Sequence, residues 1–326
     1  MTSLSASLIA KAYGTVDAAI AGAAPFMRKR LHRGWRTCNA VQDIRDAPSG
    51  PYFARAVLAS RWRCALLLRY VLQLTRPQLR TFLEERVSYE GAAYAAHVFN
   101  GTRPVILAAP HYGAGPIGFV AAVHRMSSRK TLNLFYDTRD FSPRMTLLFE
   151  RGGIDTTTVL GGFTGVLNAI RALARNECVV MMPDAFDDLT YTMAVPFFGR
   201  MMRVAAGTAF FALRTNAWVV PVFAAPARHI GVHVTVGRPI DPTRFASVEH
   251  SQAMFLLNRA LFVAFEREIR RAPEHWRQWE TFPRVSTAID PPGRLEEDAP
   301  LRLLRDKCEV SPHLLLDVPE LELLVR

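Results

Sequence analysis

The residues best placed to do chemistry sit together at positions 105–120. There the run Val-Ile-Leu-Ala-Ala-Pro-His-Tyr-Gly-Ala-Gly-Pro-Ile-Gly-Phe-Val joins an apolar strand to a glycine-rich turn and an apolar helix. His111 follows the strand, and a side chain just past the carboxyl end of a strand in an open α/β sheet faces the substrate crevice. An imidazole there can take a proton from an attacking hydroxyl or amine, because its ordinary pKa lies near neutrality. Gly113 and Gly115 could offer backbone N–H groups to an oxyanion developing on a substrate carbonyl. The same glycines permit a different chemistry. Gly113, Gly115 and Gly118 fit G-x-G-x-x-G, and Asp137 stands 24 residues beyond Gly113 at the end of the next strand. A dinucleotide-binding loop uses that pattern to hold a pyrophosphate on a helix N-terminus and a ribose on the acid. Spacing leaves both readings open, beside a third in which His111 is a histidine packed in a turn.

The elements that must carry these residues follow from hydropathy. Short β-rich apolar runs at residues 105–109, 131–136, 178–182, 218–223 and 230–236 alternate with helical stretches, which predicts an α/β fold built on a sheet flanked by helices. Residues 251–271 place Met254, Leu257, Leu261, Phe265 and Ile269 at three- and four-residue steps, one face of an amphipathic helix. The first hundred residues read as helices broken by a Pro- and Gly-bearing turn at residues 46–51. The expected organisation is a helical, basic segment over 1–85, an α/β domain over 86–285 and an acidic extension over 286–326.

Composition narrows the classes. The 326 residues are half hydrophobic, with 40 Lys plus Arg against 29 Asp plus Glu, so a full core is available and disorder is excluded. The charge is local: residues 28–80 hold twelve basic side chains against two acids, whereas 286–326 hold nine acids against five bases. The basic segment also carries Trp62, Leu66, Leu67, Leu68, Tyr70, Leu72 and Leu74 and has no zinc-finger or helix-turn-helix spacing. That texture suits an anionic membrane surface better than nucleic acid. Residues 4–27 are apolar, but Lys11 and Asp17 interrupt them, so a surface or core helix is expected rather than a span or a signal peptide. Cys38, Cys64, Cys178 and Cys308 are scattered, which argues for a reducing compartment and against structural zinc; no metal is expected.

Several segments, in order, resemble the late acyltransferases of lipid A biosynthesis, the lauroyl and myristoyl transferases of the lysophospholipid acyltransferase superfamily. Val-Ser-Tyr-Glu-Gly at 87–91 and Ala-Pro-His-Tyr-Gly at 109–113 come first, followed by Val-Val-Met-Met-Pro-Asp at 179–184 and Val-Pro-Phe-Phe-Gly at 195–199. Gly207-Thr208, Val-Val-Pro-Val at 219–222 and Ala-Pro-Glu-His-Trp at 272–276 complete the series. The resemblance covers roughly residues 86–285. It implies a glycerolipid-acyltransferase-like mixed α/β sheet and transfer of a fatty acyl group from an acyl carrier protein or coenzyme A thioester to a hydroxyl or amine of a lipid acceptor. It also implies a peripheral enzyme at the cytoplasmic face of the bacterial inner membrane, with no cofactor beyond the acyl donor.

The family's signature is a histidine followed, after four intervening residues, by an acid that orients the imidazole. In this chain the acid's position is Pro116. Loss of an orienting carboxylate costs about 10⁴ in rate in triad enzymes, roughly 5 kcal/mol. Either another carboxylate reaches His111, or the acceptor needs less help, or the chain binds lipid or carrier protein without catalysing. Asp184 leads the candidate acids because it too follows a strand at its carboxyl end; Asp137, Asp140, Asp187 and Asp188 are further options. A Pro-Asp pair in that place also suits a helix or turn cap. Arg151 lies near the family's cleft arginine, Arg203 could hold a phosphate or phosphopantetheine group, and Thr208 belongs to the Gly-Thr pair of the binding region. Phe197, Phe198, Phe210 and Phe211 suit an acyl groove or a packed core equally.

Overall fold

A computed structural model describes residues 5–23, 32–42, 44, 47–126, 131–136, 143–160, 162–185 and 192–288. Its strands are β1 (Val87–Glu90), β2 (Val105–Ala108), β3 (Thr131–Tyr136), β4 (Asp155–Leu160), β5 (Cys178–Met181), β6 (Thr192–Phe197), β7 (Arg200–Ala205), β8 (Trp218–Pro226), β9 (Val232–Val236) and β10 (Ser286–Ala288). Seven of them form a mixed sheet in the order β1-β9-β8-β2-β5-β3-β4, and β10-β7-β6 form a small antiparallel sheet. Within the large sheet only β8 and β9 pair antiparallel. The expected mixed α/β sheet with a helical N-terminal segment is what the chain adopts.

β2, β5 and β8, at the centre, are apolar throughout because both sheet faces are covered. Ile106 and Ala108 of β2 enter one core with Val179, Val219 and the helix His250–Arg271. Val105 and Leu107, pointing the other way, enter a second core with Val180, Val220 and the helix Gly115–Met126. All five apolar positions that the helical period marks at 254–269 are buried. The strands that hydropathy misses explain themselves. β1 and β4 are the two edges of the large sheet, and their sequences, VSYE and DTTTVL, lack the apolar run of a doubly covered strand. β6 edges the small sheet, which is why it tolerates Pro196.

The N-terminal region packs onto the same structure. Helices at Ala6–Gly14, Val16–Ala23 and His32–Val41 lie against a 22-residue helix, Gly50–Val71, which in turn meets the 3-10 turn Pro273–His275. Ile9, Tyr13, Val16 and Ile20 are buried, so the apolar N-terminal stretch serves packing, and no helix among the described residues is long and apolar enough to cross a membrane. Part of the segment's charge is neutralised. Arg36 and Arg61 both pair with Glu280, Arg63 with Asp17 and Arg80 with Glu84. Tyr52, Arg55, Trp62 and Arg69 are left on the exposed face of the long helix. Arg28, Lys29, Arg30, Arg45 and residues 289–326, with Cys308, lie outside the described residues.

Candidate active site

β2 and β5 are parallel neighbours with Ala108 opposite Met181. Adding three residues to each strand reaches His111 and Asp184, so the register alone sets the two side chains level at the carboxyl edge of the sheet. There His111 Nδ1 lies 2.9 Å from Asp184 Oδ1. The His111 backbone N–H also donates to both carboxylate oxygens, at 3.0 and 2.8 Å. Asp184 is fully buried, whereas the imidazole is 31 % exposed. An Nδ1–H donating to Asp184 fixes the tautomer that presents Nε2 as the basic nitrogen.

A buried carboxylate needs several donors, and a further one comes from a residue with no chemical role in the sequence reading. Trp276 Nε1–H donates to Asp184 Oδ2 at 2.9 Å. Its segment grips the histidine loop along its length. The Gly113 N–H donates to the His275 carbonyl at 2.9 Å, and the Arg277 N–H donates to the His111 carbonyl at 2.8 Å. The Arg277 guanidinium reaches the Gly113 carbonyl and the Tyr112 hydroxyl donates to the Ala272 carbonyl at 3.3 Å. His275 Nδ1 stands 2.7 Å from Ser60 Oγ on the long N-terminal helix. Burial, with Arg63 nearby, pushes the His275 pKa down to about 4, so this imidazole is neutral near pH 7.

A cavity of about 100 Å³ opens beside the pair. Phe119, Leu134, Phe149 and Val180 make its apolar walls, and His111, Gly115 and Arg277 supply polar atoms at its margin. Pro116 also lines it. It sits in the first turn of the helix Gly115–Met126, where a missing N–H costs nothing.

The glycines separate by what surrounds them. Gly113 has φ +49°, and a Cβ there would stand 2.1 Å from the Ala224 carbonyl oxygen of β8; at Gly118 it would stand 2.3 Å from Ala224 Cβ. Both are glycine so that this loop can approach β8 closely. The Gly113 N–H, spent on His275, is unavailable to an oxyanion. Gly115 differs, because a Cβ there meets nothing within 4 Å. It is the first residue of the helix, so its N–H points out of the helix N-terminus.

The remaining sequence candidates lie elsewhere. Arg151 donates to the Leu72 and Leu74 carbonyls, the latter at 3.0 Å, and so caps the end of the long N-terminal helix. Arg203 bonds Thr192 Oγ1 across the β6–β7 hairpin at 2.9 Å, and Thr208 is fully buried with no partner for its hydroxyl among the described residues. None of the three lines the cavity. Asp137, Asp140, Asp187 and Asp188 lie outside the described residues.

The Phe-Phe pairs belong to the core rather than to the cavity. Phe198 and Gly199 form the two-residue turn between β6 and β7 with φ +50° and +68°, the positive values a tight hairpin of that kind needs. A phenylalanine in that backbone region is costly, and it is held by packing on Trp279 at 5.1 Å, by the Arg270 guanidinium over its ring at 5.0 Å, and by its N–H donating to Glu266. Among the described residues no group of three or more His, Cys, Asp or Glu could hold a metal ion.

The family described as bacterial lipid A biosynthesis acyltransferase matches the chain over residues 80–280, a span that contains His111, Asp184, Trp276 and every residue lining the cavity. No curated protein matches it.

Proposed function

Because this chain belongs to the bacterial lipid A biosynthesis acyltransferase family, and is an acyltransferase of that general kind, we propose that it transfers an acyl group from a thioester to a lipid hydroxyl or amine with His111 as general base. The single observation that carries this is the 2.9 Å contact between His111 Nδ1 and the buried Asp184. It replaces the acid that Pro116 removes from the family's motif, and supplies the same orientation and charge from a neighbouring strand.

The chemistry runs as follows. Nε2 takes the proton of the acceptor hydroxyl or amine as its oxygen or nitrogen attacks the thioester carbonyl carbon. The new bond forms, the carbonyl becomes an oxyanion, and Asp184 stabilises the imidazolium. The Gly115 N–H, at the positive end of its helix, is the donor proposed for the oxyanion. When the intermediate collapses, the carbon–sulfur bond breaks and the imidazolium returns the proton to the departing thiolate. The donor is an acyl carrier protein or coenzyme A thioester, and no cofactor enters the balance. The apolar walls at Phe119, Leu134 and Phe149 receive the part of the acyl chain nearest the carbonyl.

Peripheral binding to an anionic membrane surface is proposed from the exposed Tyr52, Arg55, Trp62 and Arg69 stripe, since each basic residue near such a surface is worth about 1 kcal/mol. The test of function is transfer from acyl carrier protein and coenzyme A thioesters by purified protein. His111→Ala and Asp184→Asn are each expected to lower kcat at least about 10³-fold. Full activity in either variant would refute the general-base assignment. Binding to anionic vesicles that does not weaken with salt would refute the membrane surface.

A further inference from the structure

We propose that Trp276 is a positioning residue for the His111–Asp184 pair, its indole N–H holding Asp184 Oδ2 so that Oδ1 stays aimed at the imidazole. The inference rests on the general-base reading of His111, but it can be decided without turnover. An aspartate's χ2 is a broad torsion, so a carboxylate bonded only through one face can turn. In this site the two oxygens have different duties: Oδ1 faces Nδ1 at 2.9 Å, and Oδ2 takes the indole N–H at 2.9 Å. The His111 backbone N–H bridges both oxygens, which fixes distance but does not distinguish them. The indole does.

The indole is in turn immobilised. Trp276 is 1 % exposed and has Trp279, Phe197, Phe282 and Phe198 around it, with ring centroids at 4.7, 5.5, 5.6 and 5.9 Å. This rack uses Phe197 at the end of β6, Phe198 in the turn after it and the Trp276 segment, motifs far apart in the chain that otherwise have no role in the chemistry. The strained backbone at Phe198 thereby places its ring against Trp276 and Trp279. Among the described residues, other titratable groups on the segments packed round the pair are Tyr112, Glu274, His275 and Arg277.

Two variants of the full chain test this. Trp276→Phe keeps a ring and removes the N–H; incorporation of benzothienylalanine at position 276 keeps the bicyclic shape and replaces the N–H with sulfur, and it carries the test if the phenylalanine variant fails to fold. The His111 titration is followed by NMR on protein with labelled histidine, its signal assigned by its loss in His111→Gln. If the carboxylate turns once the indole donor is withdrawn, Oδ1 leaves Nδ1 and the imidazolium loses its anionic partner, so the midpoint is expected to fall by roughly half a unit or more; a rise would mean donation without positioning and would overturn the proposal. Where transfer is measurable, kcat is expected to fall about tenfold with KM within about twofold. Titration and kcat superposing on wild type in a folded benzothienylalanine protein would make Trp276 a packing residue only and overturn the proposal. A wild-type chain without acyl transfer would sink the acyl reading, and the titration would still decide this one.

Discussion

Replacing His275 with glutamine should remove an acid sensitivity built into the support of the site. His275 is held neutral by burial, with a pKa near 4 in the folded chain against 6.5 for the free group. A folded value below the unfolded one means that between those pH values the unfolded chain binds a proton that the folded chain does not, so stability falls as pH falls from 6.5 to 4. A separation of two to three units is worth about 3 kcal/mol over that whole window, at 1.36 kcal/mol per unit. The Ser60 bond at 2.7 Å and the contact with Tyr112, with ring centroids 5.4 Å apart, are what keep the imidazole inside. Glutamine can retain a bond to Ser60 and does not titrate. Urea denaturation at pH 6.5 and pH 5 is the assay: wild type is expected to lose about 1.5 kcal/mol more than His275→Gln over that interval. Parallel losses in the two proteins would refute the argument, because they would mean that His275 takes up its proton equally in both states.

Other outcomes follow from the same geometry. Pro116→Glu is expected to give no gain in transfer rate, because Asp184 already occupies the imidazole's Nδ1 side; a severalfold gain would show that the pair is functionally incomplete. Gly113→Ala should destabilise by at least about 2 kcal/mol in a thermal or urea melt, since its Cβ meets a backbone oxygen at positive φ. Gly115→Ala, which meets open space, should stay within about 0.5 kcal/mol of wild type. Phe149→Ala is expected to cost about 3–5 kcal/mol in stability and to shift donor preference toward bulkier or longer acyl groups, measured by competition between thioesters of different length.

Much of this was legible in the residues. His111 could be identified as a candidate because an apolar strand runs straight into it, and the central strands could be found because burial on both faces demands unbroken apolar runs. The edges β1 and β4 could not be read the same way, since a strand covered on fewer sides needs no such run. The ordered series of short motifs identified the family because the series depends on chain order, which sequence records directly. Where Arg151 and Arg203 make their hydrogen bonds was not recoverable, because an arginine that caps a helix and one that binds a phosphate have the same local sequence.

What the sequence determined by itself was the inventory: a histidine after a strand, an acid after another, a proline where the acid should be, and an aromatic-rich hairpin and tail segment. Only the tertiary structure decided which of these meet. His111 and Asp184 are 73 residues apart, and they pair because β2 and β5 became neighbours in a register that places Ala108 opposite Met181. Strand order is a property of the whole sheet, set by which faces the helices cover, and no local window encodes it. The same holds for Trp276, brought to Asp184 by a segment that follows the helix His250–Arg271 back across the sheet edge, and for the glycines, whose necessity at 113 and 118 lies in the proximity of Ala224. Hydropathy sets the elements because burial acts residue by residue, and packing sets the site because contact acts between residues that the chain keeps far apart.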